Sequence, residues 1–429
     1  MNTIVAEGIA MGEAVATGST VYPSTISAMG EPVATGSAIY PSSAATATAV
    51  AKPRPNVNNM KAEPAINEVP TTLTANAAVT ALRQQDAQWP DGLCSAIADS
   101  VAVHPLRIVI MDNSGSMGAF DGRKLQKAAD GTFRTVRCDR WEELTADLVN
   151  IANISETLGA RTDLHLLNPI GWTQAGGGFG ALSVATQSWE GGLAAQGRTV
   201  GTTELAGLLD RVRPSGTTPL TEAVMKVVSM VTPQAARLRA AGQKVAVLLC
   251  TDGLPNNKIS FVQAMRQLQQ LPVWCVVRLC TNQDDVVEYW NDLDRSLESP
   301  LEVLDDIRGE AKEVSAKNPW LTYGPPLYYA RLFGLPEKLF DVLDERTMAP
   351  RQIRDFVAML LGLNARDLPD PELEQAAFLE AVRVALIEQP TTFDPKSGRM
   401  RPWIDLRLLQ TALSPRVKCM GEDLACAIM

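Results

Sequence analysis

Five oxygen-bearing side chains in three short stretches could do chemistry in this sequence. The first stretch runs Arg107-Ile-Val-Ile-Met-Asp112-Asn-Ser114-Gly-Ser116-Met-Gly118. Its apolar run, Ile108 to Met111, reads as a buried strand, and Asp112, Asn113 and Ser114 favour a turn at its carboxyl end. The spacing Asp-x-Ser-x-Ser sets a carboxylate and two hydroxyls on one side of a tight loop. Three hard oxygen donors of this kind suit Mg²⁺, with Mn²⁺ and Ca²⁺ as the alternatives. The second stretch is Gly216-Thr-Thr-Pro-Leu220, with Thr218 beside the proline and Thr217 as its competitor, and the third is Thr251-Asp252-Gly253 behind the strand-like run Val245 to Cys250. Alone, each piece is ordinary capping or turn chemistry. Together they place donors where open α/β sheets gather ligands, outside the carboxyl ends of strands.

The elements that must position these loops alternate. Strand-like runs lie at Arg107 to Met111, Thr162 to Leu167, Ala181 to Thr186, Val245 to Cys250 and Val273 to Leu279. Helical periodicity fills Arg123 to Val136, Trp141 to Leu158, Leu205 to Val212, Thr221 to Val231, Ser260 to Leu271 and Asp284 to Leu297. Strands separated by helices imply an α/β fold, a doubly wound and mostly parallel sheet covered on both faces. Beyond about Ser299 only helices are expected, at Leu301 to Ala316, Pro336 to Leu343, Pro350 to Leu361 and Asp370 to Glu388, the last with Asp370 as N-cap. The expected organisation is a disordered Ala/Thr/Ser/Pro-rich tail over 1–72, a helical adaptor over 73–103, the α/β domain over 104–299, a helical extension over 300–413 and a C-terminal tail over 414–429.

The three motifs, in this order and on these strand ends, resemble the metal-ion-dependent adhesion site of the von Willebrand factor A domain, over roughly 105–299. The resemblance implies a Rossmann-like fold in which Ser114 and Ser116 coordinate Mg²⁺ directly, Asp112 and Asp252 hold it directly or through water, and Thr218 joins when the site is engaged. It also implies that an Asp or Glu of a protein partner completes the octahedron, which is recognition rather than catalysis. The alternative is a scaffold protein with a vestigial metal site. Aspartate-dependent phosphotransfer is a remote third reading, because the general acid expected two residues after the nucleophile is here Ser114. No Gly-rich phosphate loop ending in Lys is present, no Cys/His pairs with zinc spacing occur, and His104 and His165 read as structural.

Composition sets the remaining bounds. A net charge of −9 without a long Lys/Arg run argues against nucleic acid as a partner. Seven scattered cysteines without CxxC pairing read as reduced thiols in a cytoplasmic protein, and no secretory signal or run of about 18 apolar residues stands out. The phrase beginning at Met11 returns at Met29, including Tyr22-Pro23 and Tyr40-Pro41, and two copies are too few for a solenoid. Cys426-Ala-Ile-Met429 matches a prenylation motif with Met favouring farnesyl, so peripheral attachment of the chain to the cytoplasmic face of a membrane through Cys426 is expected. A single prenyl chain anchors only reversibly.

Overall fold

The computed structural model describes residues 75–128, 133–170, 179–186, 197–297 and 301–414. The repeat around Met11 and Met29, most of the glycine cluster near Gly176, and Cys426 lie outside the described residues. Among the described residues, seven strands form one sheet in the order β6-β5-β4-β1-β7-β8-β9. They are β1 (Leu106–Met111), β4 (Thr162–Ile170), β5 (Phe179–Val184), β6 (Arg198–Thr199), β7 (Val245–Thr251), β8 (Val273–Leu279) and β9 (Glu302–Leu304). Neighbours run parallel except β4 and β5, which are antiparallel. The expected doubly wound, mostly parallel sheet is therefore present.

All six residues of β1 are buried, as a strand covered on both faces requires. Alternation along it sends Val109 and Met111 into one core and Ile108 and Ile110 into the other. On the first face lie α3 (Arg140–Leu158), through Trp141, Leu148 and Ile151, and α4 (Thr202–Leu209), through Leu205. On the second lie α5 (Leu220–Val231), α6 (Ala235–Ala240), α7 (Lys258–Gln269) and α8 (Asp284–Ser296), through Val224, Leu238, Phe261 and Trp290. The entry to α3 is fixed by Asp139, whose side chain accepts from the Glu142 N–H, and its exit by Gly159 at φ 62°.

One expected helix is absent. Residues Gly122–Lys127 and Phe133–Cys138 form an antiparallel pair, β2 and β3, where the sequence periodicity predicts a helix over 123–136. Tertiary contacts override the local pattern. The Arg123 N–H donates to Glu143, Lys124 pairs with Glu142 at 2.9 Å, and Arg134 bridges to Gln126 across the ribbon.

The flanking segments share the first core rather than forming bodies of their own. The adaptor is α1 (Ala75–Gln85) and α2 (Asp91–Val103), and α2 buries Leu93, Ile97 and Val101. At Gly92 it crosses α12 (Pro350–Leu361) so closely that a Cβ would lie 1.9 Å from the Met359 carbonyl. The extension is mostly helical, with α9 (Ile307–Lys317), α10 (Pro325–Leu332), α11 (Phe340–Glu345), α12, α13 (Gln375–Ile387) and α14 (Leu406–Leu413). Three short strands interrupt it: β9 on the main sheet, and the pair β10 (Thr392–Asp394) and β11 (Arg399–Arg401). Asp370 caps a turn, accepting from the Glu372 N–H, and the helix it was expected to open starts at Gln375. The aromatics of the connector pack as expected, with Trp320 and Tyr323 buried.

Helix α10 is held by charge as well as by apolar contact. Arg331, 2% exposed, pairs with Glu302 of β9 at 2.6 Å, Glu310 of α9 at 2.6 Å and Asp344 of α11 at 2.9 Å. Tyr328 donates to Asp147 of α3 at 3.0 Å, and Asp147 and Glu143 both pair with the buried Arg278 of β8.

His104, fully buried after α2, has no well-formed hydrogen bond at either ring nitrogen and stacks on Trp274 at 6.5 Å. Burial, and after it the charge of Arg107, pushes its pKa down to about 3. The unfolded chain therefore binds a proton below about pH 6.5 that the folded chain refuses, and stability falls as pH falls from 6.5 toward 3. Urea denaturation is expected to show His104→Phe gaining on the wild type by about 1.4 kcal/mol per pH unit through that window. Parallel pH profiles would refute this.

Candidate metal centre

Strands β1 and β7 are adjacent and parallel, so Asp112 and Asp252, each the residue after its strand, come out side by side at the carboxyl edge of the sheet. Ser114 immediately precedes a single 3-10 turn, Gly115–Gly118, which carries Ser116. Thr218 sits in the loop ahead of α5.

The loops are tied to each other by backbone and amide bonds. The Gly115 N–H donates to the Gly216 carbonyl at 3.3 Å and the Ser215 N–H to the Asn113 carbonyl at 2.8 Å. The Asn113 side chain exchanges two bonds of 2.8 Å with the backbone of Asn168 at the end of β4, and the Asn168 amide donates to the Thr217 carbonyl. Gly216, at φ 92°, turns the second loop against Asn168, where a Cβ would lie 2.6 Å from Asn168 Oδ1. The Thr217 backbone is thereby fixed while Thr218 is half-buried, its hydroxyl 3.9 Å from the Cβ position of Gly253 beside Asp252. That placement favours Thr218 over Thr217 as the hydroxyl facing the Asp252 loop.

The donor atoms converge. Ser114 Oγ and Ser116 Oγ are 3.1 Å apart, and Ser116 Oγ donates to Asp252 Oδ1 at 2.8 Å. Adjacent ligands of an octahedral Mg²⁺ with bonds of about 2.1 Å stand roughly 3.0 Å apart. The donor set therefore fits a small hard cation in both spacing and chemistry. Asp112, fully buried, spends Oδ1 on the Ser114 N–H at 2.8 Å and Oδ2 on the Thr251 hydroxyl at 2.7 Å. It fixes the loop from beneath, and burial, opposed by those bonds, raises its pKa. Among the described residues no group of three His, Cys, Asp or Glu is placed to hold a metal ion. The rim instead gathers the hydroxyls of Ser114, Ser116 and Thr218 and the carboxylates of Asp112 and Asp252.

A cation of the chain itself already touches this constellation. Arg140, at the start of α3 and 4% exposed, places Nη1 2.8 Å from Asp252 Oδ2 and grips Asp121 through two further bonds of 2.8 and 2.6 Å. Asp252 is 2% exposed, so the guanidinium supplies its main charge compensation. The bond to Arg140 also lowers the pKa of Asp121. Sequence reasoning did not find Arg140, nor Thr251, Asn113 and Asn168 as supports of the loops. The two expected histidines stand apart from the rim as buried groups.

No family model and no curated protein matches this chain. Among solved structures it is similar to the manganese-loaded TRAP protein of Plasmodium vivax, at 16% identity and a TM-score of 0.29, over 47% of this chain and 69% of that one. The mostly parallel, helix-flanked sheet fits a von Willebrand factor A-like fold.

Proposed function

We propose that this chain is a non-enzymatic protein-interaction module in which Asp112, Ser114, Ser116, Thr218 and Asp252 hold Mg²⁺ and an Asp or Glu of a protein partner supplies the remaining ligand. The observation that carries this reading is the chain of oxygens from Ser114 through Ser116 to Asp252, at 3.1 and 2.8 Å, on the edge of two adjacent parallel strands. Bound there, the metal would supply an electrophile for an incoming carboxylate. The protein's part is to present neutral hydroxyls to the cation, its two carboxylates being already bonded within the chain, Asp112 to the Ser114 N–H and Thr251 and Asp252 to Ser116 and Arg140, and to keep the loops in register through Asn113 and Asn168. Arg140 adds a positive charge beside Asp252, which further favours an anionic partner.

Isothermal titration of Mg²⁺ tests the reading. The wild type is expected to bind, and Asp112→Ala is expected to lose at least about tenfold in affinity because the Ser114 N–H and Thr251 hydroxyl lose the carboxylate that shapes the loop. Equal binding by the two proteins would reject it.

A second reading, a scaffold protein with a vestigial metal site, is favoured by the pairing of Asp252 with Arg140, which compensates the carboxylate from within the chain. Light scattering separates the two. Assembly that is indifferent to chelator and to Asp112→Ala supports the scaffold.

A further inference from the structure

Only Ala119, Phe120 and Asp121 separate the rim turn Gly115–Gly118 from β2. The junction is held to the rim. Asp121 is gripped by Arg140, which also holds Asp252, and the Arg140 N–H donates to the Ala119 carbonyl at 3.1 Å. Whatever the rim grips therefore lies beside the root of the β2–β3 ribbon.

The ribbon runs against the charge of the chain. Its two strands carry Arg123, Lys124, Lys127, Arg134 and Arg137 and no carboxylate, in a protein of net charge −9. Lys124 is answered by Glu142, and Arg134 is bonded to Gln126. Strand alternation sets Arg123, Leu125 and Lys127 on the other face, with Phe133, Thr135 and Arg137 of β3. There Arg123 stands directly opposite Arg137 in the register. Like charges so placed destabilise an antiparallel pair. Both arginines are exposed, and neither makes an ion pair among the described residues. Asp121, whose charge Arg137 also feels, has both oxygens on Arg140. Arg137 is met instead by Phe120, with its guanidinium 6.0 Å from the ring centre and 3.4 Å from the carbonyl that accepts from it. Phe120 is itself 65% exposed.

Two facing guanidinium groups without a carboxylate of their own are suited to an anion, and the planar fork matches a carboxylate best when it binds through both oxygens. We propose that this face is the partner's second contact, taking an acidic segment of a protein: one carboxylate on the rim metal, the next between Arg123 and Arg137, and an apolar side chain on Phe120. The first of those carboxylates rests on the reading of the rim as a metal site. Nucleic acid is the other polyanion a basic ribbon could take. The surplus negative charge of the chain repels a long polyanion more than a short segment. Of the two rings here, Phe133 is packed on Phe393 at 5.6 Å, so bases would have only Phe120 to stack on.

The probe is a labelled peptide, Gly-Asp-Leu-Glu-Glu-Leu-Gly. A control carries Asn and Gln in place of its acids, and oligothymidine is the nucleic-acid arm. Binding to the full chain is read by fluorescence anisotropy at low salt, in Mg²⁺ and in chelator. The acidic peptide is expected to bind saturably, and the control and oligothymidine at least about tenfold more weakly. Arg123→Glu is expected to weaken the peptide about tenfold yet raise the melting temperature, since it sets a carboxylate opposite Arg137. Arg123→Gln/Arg137→Gln should weaken the peptide likewise and leave the affinity for Mg²⁺ unchanged in calorimetry. An arginine-dependent loss of equal size in Mg²⁺ and in chelator supports the ribbon contact and counts against the rim metal alone. Binding that needs Mg²⁺ but ignores both arginines overturns the ribbon contact and leaves the rim reading standing. No saturable binding of the peptide in Mg²⁺, or tighter binding of oligothymidine, would also overturn the proposal.

Discussion

Arg331→Met is expected to cost on the order of 5 kcal/mol at pH 8, enough to unfold a large fraction of the chain, since native proteins hold only about 5–15 kcal/mol in reserve. Arg331 is the shared cation of Glu302, Glu310 and Asp344, and it also donates to the Tyr323 hydroxyl at 3.2 Å. A methionine fills much of its volume but leaves those carboxylates buried without a counter-charge. Even beside Arg331, burial pushes Glu302 up to about 7 and Glu310 up to about 8. Both folded values lie above the ordinary value near 4.5, so the folded chain binds more protons than the unfolded one between those limits. Stability drawn from these groups is accordingly present at low pH and lost as pH rises through 7 to 8. Removing the arginine raises both values further and steepens that loss. Urea titrations at pH 5 and pH 8 should show a markedly smaller penalty at pH 5. An equal penalty at both values would mean that lost packing, not stranded charge, is what the substitution does.

Arg140→Gln is expected to lose about 3–5 kcal/mol in chelator, because the buried Asp252 is left without its partner. The same substitution is expected to tighten Mg²⁺ by about tenfold or more, since a unit positive charge in contact with a proposed ligand is removed. Saturating Mg²⁺ should then recover much of the lost stability, through binding that only the folded state offers. Thermal denaturation with and without Mg²⁺, paired with titration calorimetry, reads both effects. An Arg140→Gln protein that is less stable and no better at binding Mg²⁺ would show that the guanidinium and the cation do not share Asp252.

These two arginines mark the limit of what the sequence discloses. Asp112, Ser114, Ser116, Thr218 and Asp252 were legible because each lies within a few residues of an apolar strand or of a Pro-Leu helix start, so local pattern alone places them on one edge. Arg140 was not. It meets Asp252 across 112 residues of chain and, read locally, is one charged residue in the first turn of a helix. Asn113 and Asn168 were missed for the same reason, at a separation of 55 residues. Strands β1, β7 and β8 could be read because burial on both faces demands unbroken apolar runs. The antiparallel pair over 122–138 could not, because its polar residues suit either a helix or a ribbon and the choice is made by Glu142 and Glu143 of α3. Strand β9 has three residues and is a strand only by pairing with β8. The end of the sheet therefore had no local signal at 299, and the extension proved to share a core with the segments before it.

On the proposed function, the rim of β1 and β7 captures a carboxylate through a metal. An affinity capture of interacting proteins by the full chain, run in Mg²⁺ and in chelator with wild type and Asp112→Ala side by side, tests it most directly. The expected result is a partner retained by the wild type in Mg²⁺, released by chelator, and not retained by Asp112→Ala under either condition. A partner held equally by both proteins in chelator would contradict it.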